Sequence, residues 1–142
     1  MTTYFTDGSA SPNPGPGGFA VLLDGKPIVL GSEPGGGKTT NIRMEGFALI
    51  AALKHANGSV CEIWTDSEFW INVITKWAPG WEKNGWKKKG GEISNLDIVQ
   101  EVYSLHKQSN ARLVWVRGHN NHELNELADH WANEARRKHS QH

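Results

Sequence analysis

Two apolar runs, Phe19-Ala-Val-Leu-Leu23 and Pro27-Ile-Val-Leu30, stand on either side of Asp24-Gly25. An Asp-Gly pair in that position favours left-handed backbone at both central residues of a tight turn, so the segment specifies a β-hairpin. A short strand at Thr2–Thr6 precedes it, which gives three strands in succession. Downstream the pattern changes. Asn41 to Ala56 is rich in Ala, Leu and Met, contains Gly46 as its one glycine, and is stopped by Asn57-Gly58, which predicts a helix. Val60–Thr65 reads as a fourth strand, Ser67–Lys76 as a helix capped by Ser67 or Asp66, Asn95–Gln108 as a helix capped by Ser94 or Asn95, and Arg112–Val116 as a fifth strand.

The last helix is the most sharply patterned. Leu124, Leu127, Ala128, Trp131, Ala132 and Ala135 fall at i, i+3, i+4, i+7, i+8 and i+11, a single apolar stripe. Strands separated by helices imply parallel pairing and the opening hairpin implies antiparallel pairing. The expected architecture is therefore an α/β domain with a five-stranded mixed sheet and helices packed on it. The turn-rich stretches are Ser11–Gly18, Pro34–Gly37 and Ala78-Pro-Gly80, and none is long enough to separate two domains, so residues 1–142 are expected to form one domain.

A chain of 142 residues buries roughly 68–70% of its unfolded surface and supports a core of its own. Cys61 is the lone cysteine, which excludes an internal disulfide and thiol-rich zinc sites. The start of the chain has neither the basic nor the apolar stretch of a signal peptide, and no run approaches the ~18 apolar residues of a membrane span. The expectation is a soluble, cytoplasmic protein, free-standing because Met1 precedes the first strand, and a monomer because no strongly apolar surface helix is evident. Formal net charge is zero, but it divides: residues 1–70 carry four Lys/Arg against seven acids, and residues 71–142 carry eleven against eight. An argument for a polyanionic partner must therefore be local.

Four acids stand in suggestive places. Asp7 is expected directly after the first strand and Asp66 directly after the fourth; if those strands are parallel neighbours, both carboxylates emerge at the carboxyl end of the sheet, where open α/β folds place ligands. Glu45 lies near the start of its helix, on the face shared with Ala48, Leu49 and Ala52. Asp129 lies one helical turn from Asn125 and Asn133, beside the apolar stripe. Taken singly, each also has a bland reading: a turn or cap for Asp7 and Asp66, the helix dipole for Glu45, a solvated surface for Asp129. Spacing alone does not assemble them.

Tyr4-Phe-Thr-Asp-Gly-Ser9 followed by Asn13-Pro-Gly-Pro-Gly-Gly18 resembles the opening of type 1 ribonuclease H. Thr40-Asn-Ile-Arg-Met-Glu45, Thr65-Asp-Ser67, and Val116-Arg-Gly-His119 with Glu126-Leu-Ala-Asp129 match the same family in order, from about Tyr4 to Arg136. The resemblance implies the ribonuclease H-like fold, with three antiparallel strands, then parallel ones, and helices on both faces of the sheet. It implies that Asp7, Glu45, Asp66 and Asp129 bind two Mg²⁺ ions, with Mn²⁺ a substitute, and that Asp7 bridges the two. The activity implied is endonucleolytic hydrolysis of the RNA strand of an RNA–DNA hybrid, leaving 3′-hydroxyl and 5′-phosphate ends. His119 would serve proton transfer or product release; His122 reads as surface.

The same resemblance assigns Asn13 and Asn41 to the minor groove, where 2′-hydroxyls mark the RNA strand, and Lys38, Thr40 and Asn95 to a pocket for a phosphate of the DNA strand. Ile42 departs from the family, where an amide side chain is common. Phe69 and Trp77 resemble residues lining the DNA channel. Three of the seven tryptophans, Trp77, Trp81 and Trp86, are interleaved with Lys83, Lys87, Lys88 and Lys89, and with Lys76 and Glu82 the segment carries a local net charge of +4. Aromatics set among cations suit a nucleic-acid backbone, and residues 77–90 resemble the basic protrusion of some type 1 enzymes, in which Trp81 and Trp86 are also expected to pack a small core. No obligate protein partner is implied. Two rival readings remain at this point: a non-catalytic hybrid-binding domain, which would be expected to lack a metal carboxylate, and a relative with the same fold that acts on DNA.

Overall fold

The structure, a computed structural model, describes residues 2–116 and 123–140, without the side chains of residues 124, 125, 139 and 140. Its elements run β1 (Thr2–Ala10), β2 (Gly17–Leu23), β3 (Lys26–Gly31), α1 (Asn41–Ala56), β4 (Cys61–Thr65), α2 (Glu68–Asn72), a π-helical turn (Val73–Trp77), α3 (Ala78–Lys83), α4 (Leu96–Lys107), β5 (Ala111–Trp115) and α5 (Glu123–Ser140). The strand order is β3-β2-β1-β4-β5. β1, β2 and β3 pair antiparallel, and β4 is parallel to both β1 and β5. The expected mixed sheet is thus present, turning at Asp24 (φ 54°) and Gly25 (φ 77°), the left-handed pair a two-residue hairpin turn requires.

Alternation along β1 divides the interior. Tyr4 packs with Val21, Ile63 and the buried residues of α1, α2 and α4. Phe5 and Leu22 pack with Ala128, Leu127 and Trp131 of α5 on the opposite face. Successive strand residues point to opposite faces, so one strand serves both layers. α1, backed by α4, covers one face and α5 the other.

Two expectations are corrected. Asp7 does not follow β1 but lies inside it, opposite Ala20, because the strand continues through Gly8 and Ser9, which pair with Phe19 and Gly18. Ala78-Pro-Gly80 is not a turn. The helix that begins after Ser67 runs on through the π-helical turn, in which the Ala78 N–H reaches the Val73 carbonyl, and Pro79 falls in the first turn of α3, where a missing N–H costs least. Buried Ala78 anchors that junction. No helix among the described residues is long and apolar enough to cross a membrane.

Candidate active site

β1 is parallel to β4 over Thr2–Phe5, with Phe5 opposite Trp64. Carried two residues further, that register sets Asp7 level with Asp66, the first residue after β4. Glu45 comes from near the start of α1, where the predicted helix placed it. One carboxylate oxygen from each of Asp7, Glu45 and Asp66 lies within 4.8 Å of the other two. Asp129, exposed on α5, approaches from the other layer closely enough to act on Asp7. The structure therefore brings three of the four acids singled out above into one cluster and sets the fourth, Asp129, beside Asp7.

Glycine makes the convergence possible at two places. A Cβ at Gly8 would run into the backbone of Met44 and Glu45, and one at Gly18 into the backbone of Arg136 and Ala132. Gly8 thus lets α1 settle onto β1 beside Asp7, and Gly18 lets α5 settle onto β2. These close approaches set how deeply Glu45 and Asp129 reach toward Asp7.

The electrostatic consequence is severe. Asp7 is 5% exposed. Burial, then the charge of Asp66, the hydrogen bond and charge of Asp129, and the charge of Glu45 push its carboxyl well above the ordinary range. A hydrogen bond between two carboxyl groups needs a proton on one of them, which is why the Asp129 contact raises Asp7 rather than lowering it. Glu45 is pushed up to about 7 by burial and by Asp66, against the opposing pull of a hydrogen bond from Ser67. At 4.8 Å two full negative charges repel by about 3.5 kcal/mol at an effective dielectric near 20. A buried, oxygen-only donor set with unrelieved repulsion fits a divalent cation, and a hard one.

The other expected residues fall around this centre. Asn13 lies exposed in the loop between β1 and β2, and its side-chain oxygen accepts the Asn41 N–H at 3.2 Å, while the Asn41 side-chain oxygen accepts the Ala10 N–H at 2.6 Å. The two asparagines brace each other beside the end of β1. Lys38 is exposed; the Thr40 hydroxyl caps α1 by accepting the Arg43 N–H at 3.1 Å, and Asn95 begins α4 with φ 57°. Ile42 packs against the larger core, and its carbonyl accepts the Trp70 indole N–H at 2.7 Å.

Sequence reasoning missed Arg43. Its guanidinium grips Glu33 through two hydrogen bonds (2.6 and 3.1 Å), Asp97 through two more (3.2 and 3.3 Å), and the Asn95 side-chain oxygen at 3.3 Å. It ties the loop carrying Lys38 to α1 and α4. Asp97 in the first turn of α4 was a usable signal; Glu33, in a loop, was not.

Phe69, Trp77, Trp81, Lys88, Ile93 and Ser94 line a groove of about 330 Å³. Trp77 is 42% exposed and stands edge-on to Phe69 at 6.1 Å. Trp81 and Trp86 are half-buried against the main core, with Trp86 edge-on to Tyr103 of α4, rather than in a small core of the protrusion's own. Lys83, Lys87, Lys88 and Lys89 are exposed. His119 and His122 lie outside the described residues.

A family model described as RNase H matches residues 1–137. The chain is 37% identical over 138 residues to a ribonuclease H of Methylorubrum extorquens (strain PA1), an alignment covering 96% of this chain and 60% of that protein. It is 42% identical over 131 residues to a ribonuclease H of Polynucleobacter asymbioticus, covering 91% and 85%. The crystal structure of LC9-RNase H1, a type 1 RNase H with the type 2 active-site motif, matches with a TM-score of 0.81 at 30% identity, over 97% of this chain and 72% of that one.

Proposed function

The chain belongs to the ribonuclease H family, and on that premise we propose that it is an endonuclease hydrolysing the RNA strand of RNA–DNA hybrids at the Asp7–Glu45–Asp66–Asp129 cluster. The observation that carries the reading is the convergence of Asp7, Glu45 and Asp66 from β1, α1 and the end of β4, with Asp129 of α5 near enough to act on Asp7. Two divalent cations, Mg²⁺ or Mn²⁺, held there would supply an activated water and stabilise the departing 3′ oxygen, leaving 3′-hydroxyl and 5′-phosphate ends.

The chain's own residues then divide the work. Asp7, buried and under the influence of Asp66, Asp129 and Glu45, would hold a cation together with them. Asn13 and Asn41 face the minor groove with side-chain oxygens already engaged by backbone N–H groups, so the amide nitrogens are the ends offered to 2′-hydroxyls and base edges. Lys38, with the N-terminal region of α1 around Thr40 and with Asn95, receives a phosphate of the DNA strand. Phe69 and Trp77 present aromatic surface to deoxyribose, and Trp81, Trp86, Lys83 and Lys87–Lys89 extend the contact along the backbone. His119 moves a proton near the departing product.

The test is a labelled RNA–DNA hybrid beside DNA and RNA duplexes of the same sequence, each with Mg²⁺ and with chelator. The expected result is cleavage of the hybrid's RNA strand alone, abolished by chelator. Binding of the hybrid without cleavage would support the non-catalytic reading, and cleavage of the DNA duplex the DNA-acting one.

A further inference from the structure

Of the four clustered acids, Asp129 is the exposed one, and it stands on a different layer from Glu45. An exposed carboxylate can turn away into solvent, so something must hold it toward Asp7 if it is to act with the others. The helix supplies a line of polar residues one position C-terminal to the buried stripe: Asp129, Asn133 and Arg136 follow Ala128, Ala132 and Ala135. Residues three and four apart share a helix face, so the three can contact one another.

They do. The Asn133 side-chain nitrogen donates to Asp129 Oδ2 at 3.4 Å. Its oxygen accepts from two directions at once, from the Ser9 hydroxyl of β1 at 3.1 Å and from Arg136 Nη2 at 3.3 Å. An amide has one acceptor end and one donor end. Two donors converging on the oxygen fix which way the amide faces, and its N–H₂ is thereby turned to Asp129. The anchor is rigid on both sides. Ser9 lies two residues beyond Asp7 in the same strand and on the same face, and Arg136 is packed where its Nε is buried with no hydrogen-bond partner among the described residues. Gly18 admits the backbone of this same stretch of helix to the sheet.

We propose that Asn133, oriented by Ser9 and Arg136, is a positioning residue that holds Asp129 in register with Asp7 for cation binding. The inference rests on the reading of Asp129 as a metal ligand. Partners that orient a ligating carboxylate act chiefly on metal affinity, and their loss costs roughly tenfold or more.

The experiment is calorimetric titration of Mn²⁺ into the metal-free full-length chain, without substrate, for the parent, Asn133→Leu, Ser9→Ala, Asp129→Asn, and Asp129→Asn with Asn133→Leu. Asn133→Leu is expected to weaken the Asp129-dependent binding roughly tenfold, with Ser9→Ala acting in the same direction and less. In turnover of a hybrid, kcat at limiting metal falls and recovers at high metal, while KM for the hybrid stays at the parent value. In the Asp129→Asn background, Asn133→Leu should do nothing more to the isotherm, which a general loss of helix stability would not mimic. Folded Asn133→Leu and Ser9→Ala proteins with the parent's isotherm, or a full additional effect in the Asp129→Asn background, overturn the inference and leave the proposed function standing. An Asp129→Asn isotherm identical to the parent's instead removes Asp129 from the ligand set, and the reading falls with it.

Discussion

Changing Glu45 to Gln should make the metal-free protein more stable, and increasingly so as pH rises. In the folded chain the Glu45 carboxyl titrates at about 7 against an ordinary value of 4.5, because burial and Asp66 disfavour its charge. Between those two values the folded state binds more protons than the unfolded state, so stability falls as pH rises and the loss is complete above about 7. Below 4.5 both states are protonated and the penalty disappears. Weighting both protonation equilibria from about pH 5.5 to about pH 8.5 gives a loss of about 2 kcal/mol from this one group. Glutamine keeps the shape and removes the titration, so the stability difference between variant and parent should widen by at least that amount across the interval. Groups that do not interact with Glu45 cancel in the difference. Urea unfolding in chelator at the two pH values reads it, as a relative midpoint shift of about 1 M for a slope near 2 kcal/mol per M. Saturating Mg²⁺ should reverse the order, since a ligand at ~100 times its dissociation constant stabilises the parent by about 2.7 kcal/mol. Parallel parent and variant curves across the pH interval in chelator would refute the claim that Glu45 is held in a mutually repulsive cluster.

Asp7→Asn and Asp66→Asn are each expected to abolish cleavage in Mg²⁺ with the circular dichroism spectrum and melting curve retained, because each removes a repelling charge; substantial residual cleavage in either protein would reject the assignment. Lys87, Lys88 and Lys89 changed together to Ala should raise KM for the hybrid and reduce its log–log salt slope by up to about 3, with kcat little altered; an unchanged KM at moderate salt would count against the protrusion as a binding handle. Gly18→Ala should cost about 1–3 kcal/mol in a denaturant titration, since the added carbon meets helix backbone rather than a side chain that can swing away, and cation affinity should fall with it. Arg43→Ala should cost about 3 kcal/mol by the same measurement, because the Glu33 side chain, 12% exposed, would lose its bidentate partner.

What the sequence disclosed, and what it hid, follows the range of the forces involved. α1 runs from Asn41 to Ala56 as its composition predicts, because its stop signal is local: Asn57 takes the left-handed conformation at φ 48° and its N–H returns to the Leu53 carbonyl at 3.1 Å. The hairpin at Asp24-Gly25 is equally local. β1, in contrast, reads as ending at Thr6, because Asp7, Gly8 and Ser9 are not apolar. It continues because Gly17 and Gly18, several residues away, supply the backbone to pair with Ala10 and Ser9. The four acids could be nominated from motif likeness, but their meeting depends on Gly8 and Gly18 admitting two helices, which no periodicity encodes. Arg43 escaped for a related reason: Glu33 and Asp97 flank it from segments 10 positions earlier and 54 positions later in the chain.

The position of the cluster is a product of how the sheet ends. β1 is paired with β2 through Ala10 but with β4 through Phe5, so past that residue one edge of the strand outruns its parallel neighbour. A helix on either face can reach a side chain on such an edge, whereas a residue deep between two strands is open to one layer alone. Asp7 occupies that edge, and it is there that Glu45 arrives from one layer, Asp129 from the other and Asp66 from the strand that has just ended. Gathering like charges at this point is unfavourable by several kcal/mol without a cation. It is tolerable because both hydrophobic clusters lie behind it, nearer the body of the sheet, and none of the four acids belongs to either. The metal-free chain therefore carries a local electrostatic stress at the end of its sheet, and the release of that stress on binding a divalent cation is the property by which the site should first be recognised in solution.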